Sequence, residues 1–198
     1  MRTRDPKKEN SLREKAMAMV VKDGFDGLSM QKLAKAAKVS PATIYIYWKD
    51  RDDLILQLYL DAFRRMSERT LENFDPGLSF KEGLRVQWKN RARYLLEHEV
   101  EYHFMEQVKF SPLHDRAQTA IGTGFMSTMK AFVKGAIERK ELIKVPVEIY
   151  WSLAFAPLYQ LLKFHKHGKG LGPSGGPFSL DDKTMNLTLD LVLKALKP

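Results

Sequence analysis

One stretch of the chain, Leu28 to Leu54, carries helix start and stop signals that leave little freedom in how it folds. Ser29 is a suitable N-cap, and apolar residues then recur at i, i+3, i+4 and i+7, which predicts an amphipathic helix. Lys38-Val39-Ser40 forms the predicted turn, after which Ser40 caps a second helix with Pro41 at its first position. The spacing therefore predicts two short helices joined by a tight turn over residues 29–48.

The second of these helices has an inner and an outer side. Ile44 and Trp48 lie one turn apart and are predicted to point into a core, which leaves a small residue, a hydroxyl, aromatic rings and flanking cations outside. Such a surface suits the major groove of DNA. The residues that we predict to contact DNA are Ser29, Gln31, Ser40, Pro41, Ala42, Thr43, Tyr45, Ile46, Tyr47, Lys49 and Arg51.

The formal net charge of +9 is concentrated near the N-terminus. Residues 1–51 contain 12 Lys and Arg against 6 Asp and Glu, whereas the other 147 residues contain 21 against 18. A basic segment of this kind favours contact with phosphates. A charge run by itself is usually a solvated surface, so the prediction of DNA binding depends on the charge together with the helix-turn-helix spacing.

At these residues the chain resembles a known family. The run V-S-P-A-T-I-Y-I-Y-W-K-D-R-D-D-L, which begins at Val39, resembles the helix-turn-helix of TetR-type transcriptional regulators. The preceding G-F-D-G-L-S-M-Q-K-L-A resembles the end of helix 1 and helix 2 of that family, and the resemblance extends from Lys7 to about Met66. The chain departs from the family at Trp48, usually Phe or Val, and at Tyr47, often His. The resemblance implies a DNA-binding regulator that recognises double-stranded DNA.

The rest of the chain is also predicted to be helical, because no stretch alternates apolar and polar residues as a strand does. We predict an all-α fold: an N-terminal three-helix head with the helix-turn-helix (1–50), a connecting helix (51–76) and a C-terminal helical-bundle body for ligand binding and dimerisation (77–198). The predicted helices are 10–22, 29–37, 41–48, 51–73, 79–98, 99–110, 115–140, 146–167 and 180–196, with a glycine- and proline-rich loop at 167–178.

The body is rich in aromatic residues and methionine, which most often form ordinary core. Pro157 interrupts a predicted helix and frees a carbonyl, and a mixture of Tyr, Trp and Met gives a deformable apolar wall. The TetR resemblance implies an inducer held between body helices, so we predict a small apolar or amphipathic effector. The predicted ligand-binding residues are Trp88, His103, Phe104, Met105, Phe125, Met129, Trp151, Phe155 and Tyr159.

The last two predicted helices are apolar on nearly all sides, which indicates burial on more than one side. The resemblance implies that these helices pair with their mates in a four-helix bundle, giving a homodimer whose two-fold axis matches a palindromic operator. The predicted dimer-interface residues are Leu158, Leu162, Leu189, Val192 and Leu196.

No catalytic, metal or cofactor site is predicted. Glu99, His103 and Glu106 lie at i, i+4 and i+7, but a solvated polar face or pocket lining explains them better than a metal, which needs three or four ligands. The glycines of the 167–178 loop have no preceding strand and no Gly-Lys-Ser/Thr, so they do not match a phosphate-binding loop.

The absence of certain residues and segments excludes several classes of protein. Without cysteine there are no disulfides or thiolate metal sites, and the N-terminus has no apolar signal segment, so we expect a cytoplasmic protein without a membrane partner. We expect a repressor that the effector releases from DNA. Two alternatives stay open: a dimeric DNA-binding regulator without an effector, and a helical enzyme, for which no acid, base or nucleophile constellation is present.

Overall fold

The computed structural model describes residues 5–172 and 175–198 of the protein. Residues 1–4 of the basic N-terminal segment and residues 173–174 of the predicted loop lie outside the described residues. The helices of the described part are α1 (Pro6–Asp23), α2 (Met30–Ala37), α3 (Pro41–Ile44), α4 (Arg51–Thr70), α5 (Phe80–Glu97), α6 (Glu99–Lys109), α7 (His114–Ala120), α8 (Gly124–Glu138), α9 (Val147–Ala154), α10 (Ala156–His167) and α11 (Asp182–Ala195).

The chain divides into two compact units. The first unit comprises the residues up to Met66 together with Glu97–Gly122, and the second unit comprises Ser67–Leu96 together with Thr123–Pro198. This grouping differs from the linear division predicted from the sequence, because α6 packs on α1, where the Gln107 side chain donates a hydrogen bond of 3.3 Å to the Val21 carbonyl. Residues 97–122, predicted to be part of the body, therefore belong to the first unit.

Local capping chemistry sets the ends of the helices in the first unit. α1 ends at Gly24, whose φ of 71° is readily adopted by glycine, and the Gly24 N–H donates to the Val20 carbonyl. The Ser29 hydroxyl accepts a 3.1 Å hydrogen bond from the Lys32 N–H at the start of α2. The predicted cap at Ser29 is confirmed.

The core of the first unit surrounds the predicted helix-turn-helix. Ile44 is fully buried and Trp48 is 1% exposed, as predicted from their spacing. Arg13 of α1 lies beside this core, with its guanidinium carbon 5.6 Å from the centroid of the Trp48 ring. The same guanidinium forms ion pairs with Glu9 and with Asp61 of α4, so α1, α4 and the end of the helix-turn-helix are fixed together.

The second unit is built around α5. Leu84 and Trp88 are fully buried, and the Trp88 indole N–H donates a 2.8 Å hydrogen bond to the Ala154 carbonyl at the end of α9. Gly83 allows α8 to approach, because a Cβ added there would lie 2.3 Å from the Phe132 ring.

Two helices predicted as continuous are broken in the structure. The predicted helix 115–140 is divided into α7 and α8, because Ile121 is extended (φ −67°, ψ 127°) and is followed by Gly122. The predicted helix 146–167 is divided at Phe155, two residues before Pro157, which lacks the N–H that would continue the helix. The predicted interruption at Pro157 is confirmed, and its effect is a complete break.

The described residues contain no β-strand, as predicted; a single bridge joins Lys169 and Pro177. The Gly170 N–H donates to the Gly176 carbonyl at 2.9 Å, so the described part of the glycine-rich loop has a hairpin-like shape.

Candidate functional site

The turn of the helix-turn-helix is made by a left-handed residue. Lys38 has φ 55° and ψ 41°, and the following Val39 N–H donates a 3.0 Å hydrogen bond back to the Ala34 carbonyl. This pairing satisfies a carbonyl at the end of α2 and turns the chain sharply toward α3. A non-glycine residue is disfavoured in this conformation, so Lys38 is held there by the bonds on either side of it.

The helix after the turn is short and tightens at its end. α3 is an α-helix over Pro41–Ile44, and the next N–H groups, of Ile46 and Tyr47, donate to carbonyls three residues back. Ser40 occupies the N-cap position but does not cap the backbone; its hydroxyl lies 2.9 Å from the Thr43 hydroxyl. The two hydroxyl groups are therefore hydrogen-bonded to each other at the start of α3.

Most of the predicted DNA contacts lie at the surface of the first unit. Tyr45 is 55% exposed, the largest exposed side chain of this region. Gln31, Ser40, Pro41, Ala42 and Lys49 are also exposed, and Ser29, Thr43, Ile46 and Arg51 are partly exposed. The Lys49 backbone N–H donates to the Asp53 carboxylate at 2.8 Å.

Tyr47 is the exception, and the prediction that its side chain contacts DNA is wrong. Its side chain is 6% exposed and lies in the core of the first unit. Its hydroxyl accepts a hydrogen bond from the Asp5 N–H at 3.0 Å and donates to the Asp5 carbonyl at 3.3 Å. The Tyr47 side chain therefore attaches the start of α1 to the helix-turn-helix and does not present its ring to DNA.

Two cations of this surface were missed by the sequence reasoning. Lys35 and Lys38 are exposed and follow Gln31 at i+4 and i+7, so all three lie on one face of the α2 region. The helical spacing from Gln31 was the signal that could have found them. Together with Lys49, which follows α3, they are exposed lysines of the helix-turn-helix region that can contact DNA phosphates.

The predicted ligand-binding residues are divided between the two units. His103, Phe104 and Met105 belong to the first unit, and Phe104 and Met105 are part of its core. His103 lies 3.7 Å from the Glu99 carboxylate. The other six belong to the second unit, where Trp88 and Phe155 are buried: Trp88, Phe125, Met129, Trp151, Phe155 and Tyr159.

Four of these six residues surround an arginine that the sequence reasoning did not select. The guanidinium carbon of Arg91 lies 4.4 Å from the Phe155 ring centroid, 5.3 Å from that of Trp151 and 5.8 Å from that of Phe125. Arg91 Nη1 donates a 2.9 Å hydrogen bond to the Tyr159 hydroxyl. This aromatic cluster around Arg91 is the most distinctive chemical feature of the second unit.

Tyr150 lies close to the aromatic cluster, and its protonation state is set by its burial. Burial raises the pKa of Tyr150, and the nearby positive charge of Arg91 lowers it to a smaller extent. Tyr150 is therefore a neutral hydroxyl at physiological pH.

Known proteins match the part of the chain that contains the helix-turn-helix. The sequence profile for "Bacterial regulatory proteins, tetR family" matches residues 12–58. Residues 12–58 therefore carry the DNA-binding segment of the TetR family of bacterial regulatory proteins. Its helix-turn-helix is accordingly the DNA-binding part of a transcriptional regulator.

Individual relatives match more of the chain, and one solved structure matches all of it. An uncharacterised HTH-type regulator of Haemophilus influenzae is 37% identical over 79 residues, which is 40% of this chain and 42% of that protein. The regulator YdeS of Bacillus subtilis is 26% identical over 168 residues, which is 81% of each protein. The crystal structure of a TetR family regulator from Marinobacter aquaeolei VT8 covers 100% of this chain, and 99% of its own, at 28% identity and a TM-score of 0.81.

The structure places the predicted dimer-interface residues inside a single copy of the chain. Leu158, Leu162, Leu189, Val192 and Leu196 are all buried in the core of the second unit. The assignment is therefore revised, because residues that fill the core of one copy are not available to a second. The exposed large apolar residues of α9 and α11 are Val147, Ile149, Trp151 and Leu153 on α9, and Leu187 and Leu191 on α11.

None of the helices in the described part of the chain combines the length and hydrophobicity needed to cross a bilayer.

Proposed function

We propose that the protein is a homodimeric repressor that binds a palindromic operator and is released by a small apolar or amphipathic effector. The observation that carries the DNA-binding part is the exposed start of α3. Ala42 and Tyr45 are solvent-exposed, and Lys35, Lys38 and Lys49 flank them. An exposed helix start with base-reading groups, flanked by phosphate-binding cations, is the arrangement with which helix-turn-helix proteins enter the major groove.

Selection from a random pool of duplex DNA tests this proposal. We expect a palindromic sequence with half-sites about 10 base pairs apart, or a multiple of one helical turn. Lys49→Ala should weaken binding about equally across sequences and flatten the salt dependence by ~1, because it removes one phosphate contact. Lys130→Ala, an exposed lysine of α8, is the matched control and should have no effect. A selection that returns no preferred palindrome would refute the proposal.

The exposed apolar residues of α9 and α11 support assembly with a second copy. Leu187 and Leu191 are 61% and 55% exposed and lie one turn apart on α11. Ile149 and Leu153, also one turn apart, are 47% and 39% exposed on α9. Two such stripes in one protomer favour a self-complementary interface about a two-fold axis, which a palindromic operator requires.

Neighbouring residues of α11 provide a matched test of the dimer. Leu191→Glu should give folded monomers, because it places a charge in the proposed interface and leaves the core intact. Val192→Glu places the charge in the core, where Val192 is 6% exposed, and should unfold the second unit. Light scattering and circular dichroism distinguish the two results. A wild-type monomer at micromolar concentration would contradict the dimer.

The aromatic cluster around Arg91 supports an effector site within the second unit. Phe125, Trp151 and Phe155 provide apolar ring surfaces, and Arg91 and Tyr159 provide a few polar groups, which is the usual composition of a small-molecule site. An effector lowers operator affinity only by its differential affinity for the two states of the protein. The second candidate is a regulator without an effector, in which this cluster serves only to pack the unit.

A protein that acts on bacterial chromosomal DNA works in the cytoplasm, and we propose that location for this chain.

A further inference from the structure

One edge of a buried arginine lacks a partner in the second unit. Arg91 is 2% exposed, and its Nη1 donates to the Tyr159 hydroxyl. Its Nε and Nη2 are buried and have no hydrogen-bond acceptor among the residues that the structure describes. Their N–H bonds project in parallel from one edge of the planar guanidinium, the geometry that binds both oxygens of a carboxylate.

The same face of α5 carries a second unpaired polar group. Gln87 lies one turn before Arg91, is fully buried, and neither its Nε2 nor its Oε1 has a hydrogen-bond partner within the described chain. Buried polar atoms of native proteins are nearly always hydrogen-bonded, so four unpaired atoms on two neighbouring residues are unusual. These unpaired atoms on one face of α5 are candidates for hydrogen bonds to a polar ligand.

Arg91 forms no ion pair with a carboxylate among the described residues. The guanidinium donates to the neutral Tyr159 hydroxyl, lies against the rings of Phe125, Trp151 and Phe155, and has the neutral Tyr150 hydroxyl nearby. Contacts with ring faces attract the cation but leave the N–H groups at its edge without acceptors. A buried cation with two unpaired N–H donors is unfavourable for stability, which favours a function in binding.

We propose that the second unit binds an organic monocarboxylate, whose carboxylate pairs with the Nε/Nη2 edge of Arg91 and whose apolar part lies against the aromatic rings. Gln87 provides an amide that orients the carboxylate by donating a further hydrogen bond. The proposal rests on the proposed function, since it names the chemical class of the effector. It differs from a purely apolar effector in requiring one negative charge at one defined position.

The test uses matched ligands that differ only in charge. Decanoate and 4-phenylbutyrate are compared with their primary amides in thermal shift and tryptophan fluorescence titrations of the full-length protein at pH 7.4 and constant ionic strength. We expect the carboxylates to raise the Tm and to bind at least tenfold more tightly than the amides. Tryptophan emission should change on binding, because Trp151 and Trp88 belong to the same unit as the site.

Variants of α5 separate a ligand-binding arginine from a structural one. Arg91→Met should abolish the carboxylate response and leave the Tm without ligand unchanged or raised, because an uncompensated buried charge is replaced by an apolar chain of similar length. Arg91→Lys keeps the charge but lacks the two-donor edge, and should weaken carboxylate binding at least tenfold. Arg93→Met, the exposed arginine of the same helix, is the control and should respond as wild type does.

The proposal is wrong if neither carboxylate raises the Tm, or if the amides bind as tightly as the acids. It is also wrong if Arg91→Met lowers the Tm of the free protein and the variant still binds carboxylates. If Arg91→Met fails to fold, Arg91→Lys decides between binding and packing. The operator selection reports separately on the proposed function. A selected palindrome with no carboxylate response rejects only this inference, whereas carboxylate binding without a palindrome rejects only the repressor.

Discussion

Two neighbouring tyrosines of the helix-turn-helix should respond in opposite ways to the same substitution. Tyr47 is 6% exposed and its hydroxyl makes two hydrogen bonds to the Asp5 backbone, whereas Tyr45 is 55% exposed. Replacing Tyr47 by alanine removes a buried ring, which costs roughly 3–5 kcal/mol for side chains of this size. For a chain of this length the Tm should fall by about 10 °C.

Tyr47→Phe isolates the contribution of the hydroxyl. It retains the ring and removes the hydrogen bonds to Asp5, so we expect a loss of about 1 kcal/mol and a Tm lower by a few degrees. Base preference should be unchanged in both Tyr47 variants under conditions where they remain folded. Calorimetry measures the stability, and fluorescence anisotropy with the selected operator measures the binding.

Tyr45→Ala is the matched variant. Its Tm should stay within about 1 °C of wild type, because surface substitutions rarely change stability by more than ~0.5 kcal/mol. Its operator affinity should fall by about 1–3 kcal/mol, as expected when a base contact is lost. The reasoning is wrong if Tyr47→Ala keeps the wild-type Tm and changes which sequence is bound, because Tyr47 would then lie at the DNA surface.

Three further predictions concern stability. Lys38→Gly should raise the free energy of unfolding of the first unit by about 1 kcal/mol in urea titrations, because glycine adopts the left-handed φ of 55° without strain. Gly83→Ala should lower the Tm, at a cost of about 1–3 kcal/mol, because its Cβ would lie 2.3 Å from the buried Phe132 ring. Hydrogen bonds from Arg139 and from the Phe80 N–H lower the pKa of the Glu141 carboxyl. The contribution of this carboxylate to stability is therefore complete above the ordinary glutamate pKa of about 4.3, and it is lost as the pH falls through the lowered pKa. Glu141→Gln should reduce the fall in Tm between pH 7 and pH 3, and an unchanged pH dependence would contradict this assignment.

The sequence predicts the helix-turn-helix well because its determinants are local. Ser29, Pro41 and Gly24 act within three or four residues of their own positions, so their chemistry can be read without the tertiary fold. The error at Tyr47 arises where the local geometry changes. The chain after α3 makes bonds three residues back, so Tyr47 rotates onto the same side as Ile44, and both are buried.

The helix breaks show the same limit of sequence reasoning. Pro157 was recognised as an interruption because the missing N–H is a property of that residue alone. The break at residues 121–123 was missed, because Gly122 is tolerated within helices and only the packing of the fold decides whether the helix continues. The division of 97–122 from the rest of the predicted body likewise depends on contacts between α1 and α6, which are remote in the sequence.

Arg91 could not have been selected from the sequence for a related reason. Arginine is mostly exposed in folded proteins, and nothing in the residues beside Arg91 distinguishes it from Arg93, which is exposed on the same helix. Its burial follows from the way Phe125, Trp151 and Phe155, from two other segments of the chain, pack around α5. The aromatic residues were predicted to form a ligand site by composition, but the charge that gives such a site its selectivity becomes visible only when the rings are placed around it. A buried guanidinium with two unpaired donors costs stability, so a ligand that supplies the missing acceptor should bind there and stabilise the folded protein.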